Sequence, residues 1–247
     1  MKILLANPNT TDVVTQRMAV VARGTASPGT EIVAVTATTG VPYIATRAEA
    51  VLGAWALFDL LGRHAHGMDA VIVAAFGDPG LEAARELLPV PVVGMAEAAM
   101  LTACMLGRRF AVVTFAPSLC AWFHDSIDHV GLRQRCSGVH CLDEPFADIA
   151  SVAEEKRVKL VALCQTAVAA GAEVCILAGA PLAGLAASIA DQVAVPLVDG
   201  VAAATRQAET LAALRPRKAS VGGFRRPDPK RMTGISDPVV ELFGGLP

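Results

Sequence analysis

The sequence predicts an α/β protein of two similar lobes, each built on a parallel sheet, with an active cleft between the lobes. Short runs of branched and small apolar residues alternate with helix-like stretches through most of the chain. The second half repeats the order of these elements. The 247 residues are 53% hydrophobic and 18% charged, which is typical of proteins whose parallel strands are buried on both faces.

The elements of the first half follow from this alternation. Strands are predicted at 2–6, 31–37, 69–75 and 91–95, with helices at about 12–23, 46–65 and 80–88. The second half gives strands at 109–115, 137–142, 173–178 and 195–199, with helices near 117–130, 150–170, 183–192 and 200–213. Alternation on this scale indicates right-handed βαβ units with helices on both faces of each sheet.

The two halves also match in sequence. With a shift of 104 residues, VIVAAFGDPGL (71–81) lies on CILAGAPLAGL (175–185), so that Gly80 meets Gly184. We therefore predict a first lobe of residues 1–98 plus the tail 206–247, and a second lobe of residues 99–205.

Composition and charge argue against several classes of function. A net charge of −2 gives no reason to expect a nucleic-acid or membrane partner. The uncharged run 174–190 is too short to span a bilayer and is broken by glycine and proline. The six cysteines stand in a chain without a signal peptide, so a cytoplasmic protein without disulfides is expected. His124 and His129 lack the spacing of a helical zinc pair, so no metal site is expected.

A ligand site is predicted where the carboxyl ends of the strands meet, because ligands of open α/β sheets bind there. Four segments follow strands at this edge: 7–11, 75–78, 114–118 and 178–181. The residues predicted to bind substrate are Asn9, Thr10, Ala75, Phe76, Gly77, Thr114, Ser118, Gly179 and Ala180.

Three motifs carry a family resemblance. NPNTT after the first strand, AFGDPGL after the third and VPLVDGVAAA late in the chain resemble the aspartate/glutamate/hydantoin racemase superfamily, most closely its hydantoin and allantoin racemase branch. The resemblance implies a two-lobe fold, no cofactor and a small-molecule substrate. It also implies two cysteines that face each other across the stereocentre, one removing the Cα proton and the other returning a proton to the opposite face.

The chain departs from this pattern at both cysteines. The first family cysteine falls on Ala75, and the second falls on Gly179 in LAGAPLAG. The two-thiol mechanism is therefore excluded at these positions. Three explanations remain open: a branch that uses other groups, an engineered inactive form with alanine at 75, and a protein that binds without catalysing.

The leading hypothesis is a cofactor-free isomerase acting at an acidic Cα–H of a hydantoin-like or amino-acid-derived compound. A thiol-independent lyase, decarboxylase or hydrolase and a non-catalytic binding protein are the alternatives. Asp78 and Tyr43 are the candidate acid–base residues, although Asp78 also suits a helix cap and Tyr43 also suits packing. Asp199 is predicted first as the N-cap of the helix that follows it, and Glu97 as a solvated or capping residue.

The tail contains a basic stretch, RPRKASVGGFRRPDPKRM, at 215–232. We interpret it as a solvated arm or an oligomer contact rather than an anion site. A homo-oligomer is accordingly expected.

Overall fold

The computed structural model describes residues 1–244 and contains two four-stranded parallel sheets. The first sheet has the order β2-β1-β3-β4, with β1 at Lys2–Asn7, β2 at Glu31–Thr36, β3 at Ala70–Val73 and β4 at Val92–Gly94. The second has the order β6-β5-β7-β8, with β5 at Phe110–Thr114, β6 at Cys136–Cys141, β7 at Val174–Leu177 and β8 at Leu197–Asp199. The two orders are equivalent, which confirms the duplicated α/β architecture.

Helices cover the sheets. In the first half they are α1 (Asp12–Thr25), α2 (Arg47–His64), α3 (Leu81–Leu87) and α4 (Met95–Leu106). In the second half they are α5 (Ser118–His129), α6 (Val152–Glu155), α7 (Arg157–Ala169), α8 (Leu185–Ser188) and α9 (Gly200–Leu214). The predicted helix at 150–170 is divided between α6 and α7, and the predicted helix at 183–192 is reduced to α8 and a short 3-10 turn.

Two helices pack against the sheet of the other half of the chain. They are α4, which follows β4, and α9, which follows β8. Helix α4 packs against β7 and β8, while α9 packs against β3 and β4 and also against α4. This exchange joins both sheets to one hydrophobic core, in which strand residues such as Ile72 and Ile176 are fully buried. The lobe boundaries at 98 and 205 stay a prediction.

The tail was predicted to belong to the first lobe and to contain a basic arm, and beyond that arm it contains one further helix. Helix α10 (Asp237–Leu242) packs against α2, with Gly62 of α2 so close to Pro238 that an added Cβ would lie 2.3 Å from the Pro238 carbonyl oxygen. Earlier in the tail, the Lys218 ammonium donates to the Arg85 carbonyl oxygen. Among the described residues, no helix is both long enough and apolar enough to cross a membrane.

The prediction that the chain has no disulfide is wrong for the structure, which joins Cys120 to Cys141. Cys120 lies in the first turn of α5 and Cys141 ends β6, so packing of α5 on β6 brings together two cysteines 21 residues apart. The prediction relied on compartment and composition, and neither reports such a tertiary contact.

Candidate functional site

A small cavity lies between the two sheets, at the carboxyl ends of their strands. It has a volume of about 20 Å³, which is room for about one water molecule. We call it the central cavity, and its lining residues are Asn9, Tyr43, Ile44, Ala75, Phe76, Leu119, Phe123, Gly179, Ala180 and Pro181. Both halves of the chain therefore contribute to it, and Ala75 and Gly179 line the same space.

The first half of the cavity is built on the turn after β3. Gly77 has a φ of +109°, and an added Cβ would lie 2.4 Å from Trp122 Cζ2, so only glycine allows the turn to pass under this indole ring. Phe76 packs on Phe123 with ring centroids 4.9 Å apart. These contacts fix Ala75, which is 6% exposed, at the cavity wall.

The second half is built on the turn after β7 and is tighter. Gly179 has a φ of +123°, which side-chain-bearing residues rarely adopt. A Cβ added there would lie 2.8 Å from Phe115 Cε1. The turn continues into a 3-10 helix at Ala180–Leu182, with Pro181 near its start. The backbone is thus shaped for glycine, and a cysteine at this position would require a different turn.

Tyr43 lies on the loop between β2 and α2 and is the chain's one tyrosine. Its ring packs against Phe115 and Phe146, at centroid distances of 5.8 and 6.1 Å. Its hydroxyl is buried and has no hydrogen-bond partner among the described residues. Burial raises the pKa of Tyr43 far above its usual range, and nearby Glu49 adds to the effect. Tyr43 is therefore a neutral hydrogen-bond donor at the cavity.

Asn9 belongs to a buried polar network at the end of β1. Its amide oxygen accepts hydrogen bonds from Asn7 Nδ2 at 3.0 Å and from the Thr11 N–H at 2.9 Å. Asn7 Nδ2 also donates to Thr15 at 2.8 Å. Because the Asn9 oxygen is occupied in this way, its amide nitrogen is the group available to a ligand.

Asp78 lies outside the central cavity. Its two carboxylate oxygens accept the backbone N–H groups of Ala96, at 2.9 Å, and of Glu97, at 2.8 Å, so Asp78 caps α4. The sequence suggested a helix cap at Asp78, and the helix it serves is α4 and not α3, which follows it directly. Burial raises the pKa of Asp78 to about 7, although the two hydrogen bonds act to lower it. The residue keeps some solvent contact, which limits this rise.

Asp199 is the corresponding cap of α9, as predicted. Its side chain accepts hydrogen bonds from the Val201 and Ala202 N–H groups at 2.9 and 3.1 Å. It also accepts the Gly184 N–H at 2.6 Å. Burial raises the pKa of Asp199. Glu97 is held in an ion pair with Arg85, so it is neither free nor directed to the central cavity.

Four of the predicted substrate-binding residues do not line the central cavity. The Thr114 hydroxyl is buried and donates to the Ala178 carbonyl oxygen at 2.8 Å, which fastens β5 to the end of β7. Ser118 is exposed at the start of α5, and Thr10 is half-buried beside the cavity residue Asn9. Gly77 faces a different, outer cleft.

Sequence reasoning missed the aromatic cap of the site. Phe146, on the segment between β6 and α6, packs against both Tyr43 and Phe115. Phe146 does not itself line the cavity, whereas Leu119 and Phe123 of α5 do, and neither of these two was predicted. The repeat was the signal that could have found Phe146, because the segment after β6 is the counterpart of the Tyr43 loop after β2.

The walls of the central cavity carry no charge. None of its lining residues is Asp, Glu, Lys, Arg or His, and none is cysteine. The available polar groups are the Tyr43 hydroxyl, the Asn9 amide and backbone N–H groups. Within the described residues, the N–H groups of Phe76, Gly179 and Ala180 donate to no other backbone group. Such an arrangement can bind carbonyl oxygens and stabilise negative charge on them.

An outer cleft of about 820 Å³ adjoins the turn after β3. Its charged residues are largely paired with one another: Arg47 with Asp125, Arg85 with Glu97, and His129 with Glu82. The first and last of these pairs join the two halves of the chain. The cleft is large enough for a small molecule, and Asp78 is its one acidic residue outside these pairs.

Several known proteins are similar to this chain in sequence and in structure. The Asp/Glu/hydantoin racemase family profile matches residues 3–208. The hydantoin racemase of Pseudomonas sp. (strain NS671) is 32% identical over 99% of this chain and 97% of its own length. The allantoin racemase of Klebsiella pneumoniae has a TM-score of 0.90 at 33% identity, covering 95% of this chain and 96% of its own. The allantoin racemase of Pseudomonas fluorescens has a TM-score of 0.86 at 36% identity, covering 95% of this chain and 100% of its own.

Proposed function

The chain belongs to the Asp/Glu/hydantoin racemase family, and from this premise we propose that it is a cofactor-independent isomerase acting at the acidic Cα–H of a hydantoin-like cyclic amide. The observation that carries the proposal is the placement of Ala75 and Gly179. They occupy equivalent positions after β3 and β7 and line one cavity between the sheets. A planar carbanion held there would present one face to each half of the molecule.

We propose that the reaction proceeds without thiols, through stabilisation of the enolate. The Tyr43 hydroxyl and the N–H groups of Phe76 and Gly179 donate hydrogen bonds to the carbonyl oxygen on which negative charge develops. The Cα proton passes to water, and water returns a proton to the carbon. In this scheme Asp78 is a positioning residue, because it holds the start of α4 rather than the substrate.

Because the cavity wall carries no charge, it favours an uncharged substrate. A free amino acid would bring a carboxylate and an ammonium group into a space without a charged side chain, and burying unpaired charges is costly. A cyclic amide instead brings carbonyl and N–H groups, which the Tyr43 hydroxyl, the Asn9 amide and the backbone can pair. Because the cavity has a volume of about 20 Å³, such a ring must displace some of the side chains that line the cavity on entering.

The test is exchange of the Cα proton for solvent deuterium, followed by NMR with each enantiomer of 5-benzylhydantoin separately. The protein should exchange both enantiomers faster than buffer, and Tyr43→Phe should slow the reaction by about 10²-fold, the typical effect of removing one oxyanion donor. Absence of exchange by the folded protein would overturn the isomerase proposal.

The lack of a base at the cavity wall favours one second candidate, a protein of this family that binds the same neutral ligand without isomerising it. Nuclear Overhauser transfer from protein to 5-benzylhydantoin distinguishes the two functions. Binding without deuterium exchange would establish the second candidate. A thiol-independent decarboxylase would instead release carbon dioxide from a carboxylated analogue.

We also propose that the protein is a cytoplasmic homo-oligomer. Large apolar side chains are exposed on two helices, with Leu52 and Trp55 on α2 and Met105 and Leu106 on α4. Association of copies would remove such apolar surface from water. Light scattering coupled to size-exclusion chromatography should give a mass above the monomer's 25.5 kDa.

A further inference from the structure

We propose that Asn7 is a positioning residue that makes Asn9 present its amide N–H groups, and not its amide oxygen, to the central cavity. The cavity then selects small neutral ligands that carry two carbonyl oxygens. This selection rests on the proposed function in one respect, namely that the ligand occupies the central cavity. The groups that recognise the ligand, and the buried residue that orients one of them, are the new elements.

Asn7 is the last residue of β1 and acts from behind the cavity wall. It is fully buried and does not line the cavity, whereas Asn9 does. Asn7 Oδ1 accepts the Asn9 backbone N–H at 3.1 Å. Asn7 Nδ2 donates to Asn9 Oδ1 at 3.0 Å and to Thr15 Oγ1 at 2.8 Å. Both N–H hydrogens of the Asn7 amide are therefore used within the protein, and Asn7 acts on a ligand only through Asn9.

Two backbone N–H groups determine which way the two side-chain amides point, because an N–H can only donate. The Asn9 N–H requires the oxygen of Asn7, which directs Asn7 Nδ2 at the Asn9 side chain. The Thr11 N–H lies 2.9 Å from Asn9 Oδ1 and requires an oxygen there too. Turning the Asn9 amide over would place its nitrogen against both of these donors. Asn9 Oδ1 is therefore held inside the protein, and Asn9 Nδ2 is left for the cavity.

The cavity wall consequently offers hydrogen-bond donors on both sides. Among the described residues, Asn9 Nδ2 donates to no other group and the Tyr43 hydroxyl has no partner. The backbone N–H groups that donate to no other backbone group are those of Phe76, Gly179 and Ala180. A buried donor without an acceptor is costly. A ring with two carbonyl oxygens can serve donors from both halves of the chain, whereas a ring with one leaves some of them unpaired.

The substitution Asn7→Asp should reverse the Asn9 amide. One carboxylate oxygen would keep the Asn9 N–H, and the other would stand about where Asn7 Nδ2 is, 3.0 Å from Asn9 Oδ1. Two oxygens repel at this distance, whereas Asn9 Nδ2 could donate to the carboxylate. Such a charge-assisted bond is roughly twice as strong as the neutral Thr11 bond that is lost. Asn9 would then present its oxygen to the cavity and repel one carbonyl oxygen of the ligand.

The test compares two neutral five-membered rings that lack an N–H and differ by one carbonyl oxygen. N-methylsuccinimide has two such oxygens and N-methylpyrrolidin-2-one has one. NMR titration gives both affinities, and the side-chain amide signals of Asn9 report contact with the ligand. The parent protein should bind N-methylsuccinimide about tenfold more tightly, which is the usual effect of leaving a buried donor unpaired, with a shift of the Asn9 signals. Asn7→Asp should bind both rings equally or prefer N-methylpyrrolidin-2-one.

Thr15→Val is the matched control. Thr15 is also fully buried, and its hydroxyl accepts the second N–H of the Asn7 amide. The variant should be less stable to urea because this N–H loses its acceptor. It keeps both contacts between Asn7 and Asn9, so it should keep the tenfold selectivity. Equal loss of selectivity in Thr15→Val and Asn7→Asp would show that Asn7 has only a structural role, and would overturn the proposal.

Asn7→Ala is the second variant, because it adds no buried charge and folds more readily than Asn7→Asp. It should lower the selectivity, since the Thr11 N–H alone then orients the Asn9 amide. Unchanged selectivity in Asn7→Ala would overturn the role of Asn7. In the parent protein, equal affinities, no binding of N-methylsuccinimide, or binding without a shift of the Asn9 signals would overturn the recognition of two oxygens. Tenfold selectivity without deuterium exchange of 5-benzylhydantoin would retain this recognition and overturn the isomerase. Exchange with equal affinities would do the reverse.

Discussion

Tyr43 combines two properties that are rarely found together in a residue that only packs. Its ring lies within an aromatic cluster, while its hydroxyl is buried without a hydrogen-bond partner among the described residues. An unpaired buried hydroxyl destabilises the folded state by about 1–3 kcal/mol, and this cost is recovered when a ligand supplies an acceptor. The residue is therefore suited to binding a carbonyl oxygen.

We expect Tyr43→Phe to stabilise the ligand-free protein, by up to about 1–3 kcal/mol, because it removes the unpaired hydroxyl and keeps the ring. The same variant should bind 5-benzylhydantoin more weakly. Urea denaturation measures the first effect and NMR titration the second. A less stable variant would show that the hydroxyl has a structural partner, and unchanged ligand affinity would show that it does not contact the ligand.

Asp78 gives a pH-dependent prediction at the same scale. Burial raises its folded pKa to about 7, so the folded protein holds a proton there that the unfolded chain releases at lower pH. The stabilisation from this proton is complete below the unfolded pKa and is lost as the pH rises through about 7. Arg85 and Glu97, which face Asp78, act on its pKa in opposite directions.

We therefore expect the stability advantage of the parent protein over Asp78→Asn to be larger at pH 5 than at pH 8. The difference should be on the order of 1–2 kcal/mol, reduced from the full linkage value by the solvent contact of the side chain. Urea denaturation at both pH values measures it. A parent advantage that grows with pH would mean that the two helix-cap hydrogen bonds outweigh burial.

Single residues also show what the sequence could predict about the site. The position of Tyr43 after a strand placed it near the cleft, and the 104-residue repeat placed Ala75 and Gly179 at equivalent strand ends of the same cavity. Thr114 satisfied the same positional rule, but its hydroxyl turns inward to the Ala178 carbonyl oxygen. Phe146 and the Cys120–Cys141 pair depend on how distant segments pack, and a local pattern does not record that.

At the scale of elements, the start of α4 is shaped by a glycine and an aspartate together. A Cβ on Gly94 would lie 2.4 Å from Asp78 Oδ2 and 2.6 Å from Leu81 Cδ2. The missing side chain thus makes the space in which the carboxylate reaches the Ala96 and Glu97 N–H groups. At the equivalent strand position the second sheet has Asp199, which caps α9 directly. The two halves cap equivalent helices from different points of the chain.

We expect Gly94→Ala to destabilise the protein by about 1–3 kcal/mol, because the added methyl group displaces the Asp78 cap. Asp78→Gly should cost at most about 1 kcal/mol, because the loss of the cap is partly offset by the ease with which glycine adopts the φ of +51° at this position. The double variant should cost less than the sum of the two, because the methyl group then occupies the space of the missing carboxylate. Urea denaturation of the four proteins gives the coupling energy.

Gly24→Ala is the matched control for this cycle. Gly24 lies within α1, and a Cβ there would meet nothing within 4 Å. The substitution should raise stability by about 0.5–1 kcal/mol, since alanine favours a helix interior. Strict additivity of Gly94→Ala and Asp78→Gly would show that the methyl group and the carboxylate do not compete for one space.

At the scale of the whole molecule, the duplicated fold is symmetric in its sheets but not in its site. The strand orders are equivalent, and the strand patterns of the sequence predicted both sheets. The turn after β3 offers the Ala75 side chain a place at the cavity wall, whereas the turn after β7 has φ +123° at Gly179 and places Phe115 where a Cβ would stand. A single substitution at Ala75 can therefore place a base against the first face of a bound carbanion. A single substitution at Gly179 cannot do the same for the second face.

This asymmetry predicts the outcome of restoring one thiol. Ala75→Cys adds a single sulfur at the cavity wall without changing the backbone, so the variant should fold normally. A positioned base contributes roughly 10²–10⁴-fold, and the variant should exchange the Cα proton of one enantiomer of 5-benzylhydantoin faster than the parent by a factor in that range. Because the added base serves only the face toward Ala75, this faster exchange should proceed with retention of configuration.

Deuterium incorporation by NMR and chiral chromatography of the recovered hydantoin measure exchange and inversion separately. Gly179→Cys should be less stable than the parent, because it combines a strained φ with a contact of 2.8 Å to Phe115 Cε1, and it should gain little exchange. Rapid inversion by Ala75→Cys alone would mean that another group already serves the second face. Accelerated exchange by a stable Gly179→Cys would mean that the turn after β7 rearranges, and the asymmetry of the site would then not hold in solution.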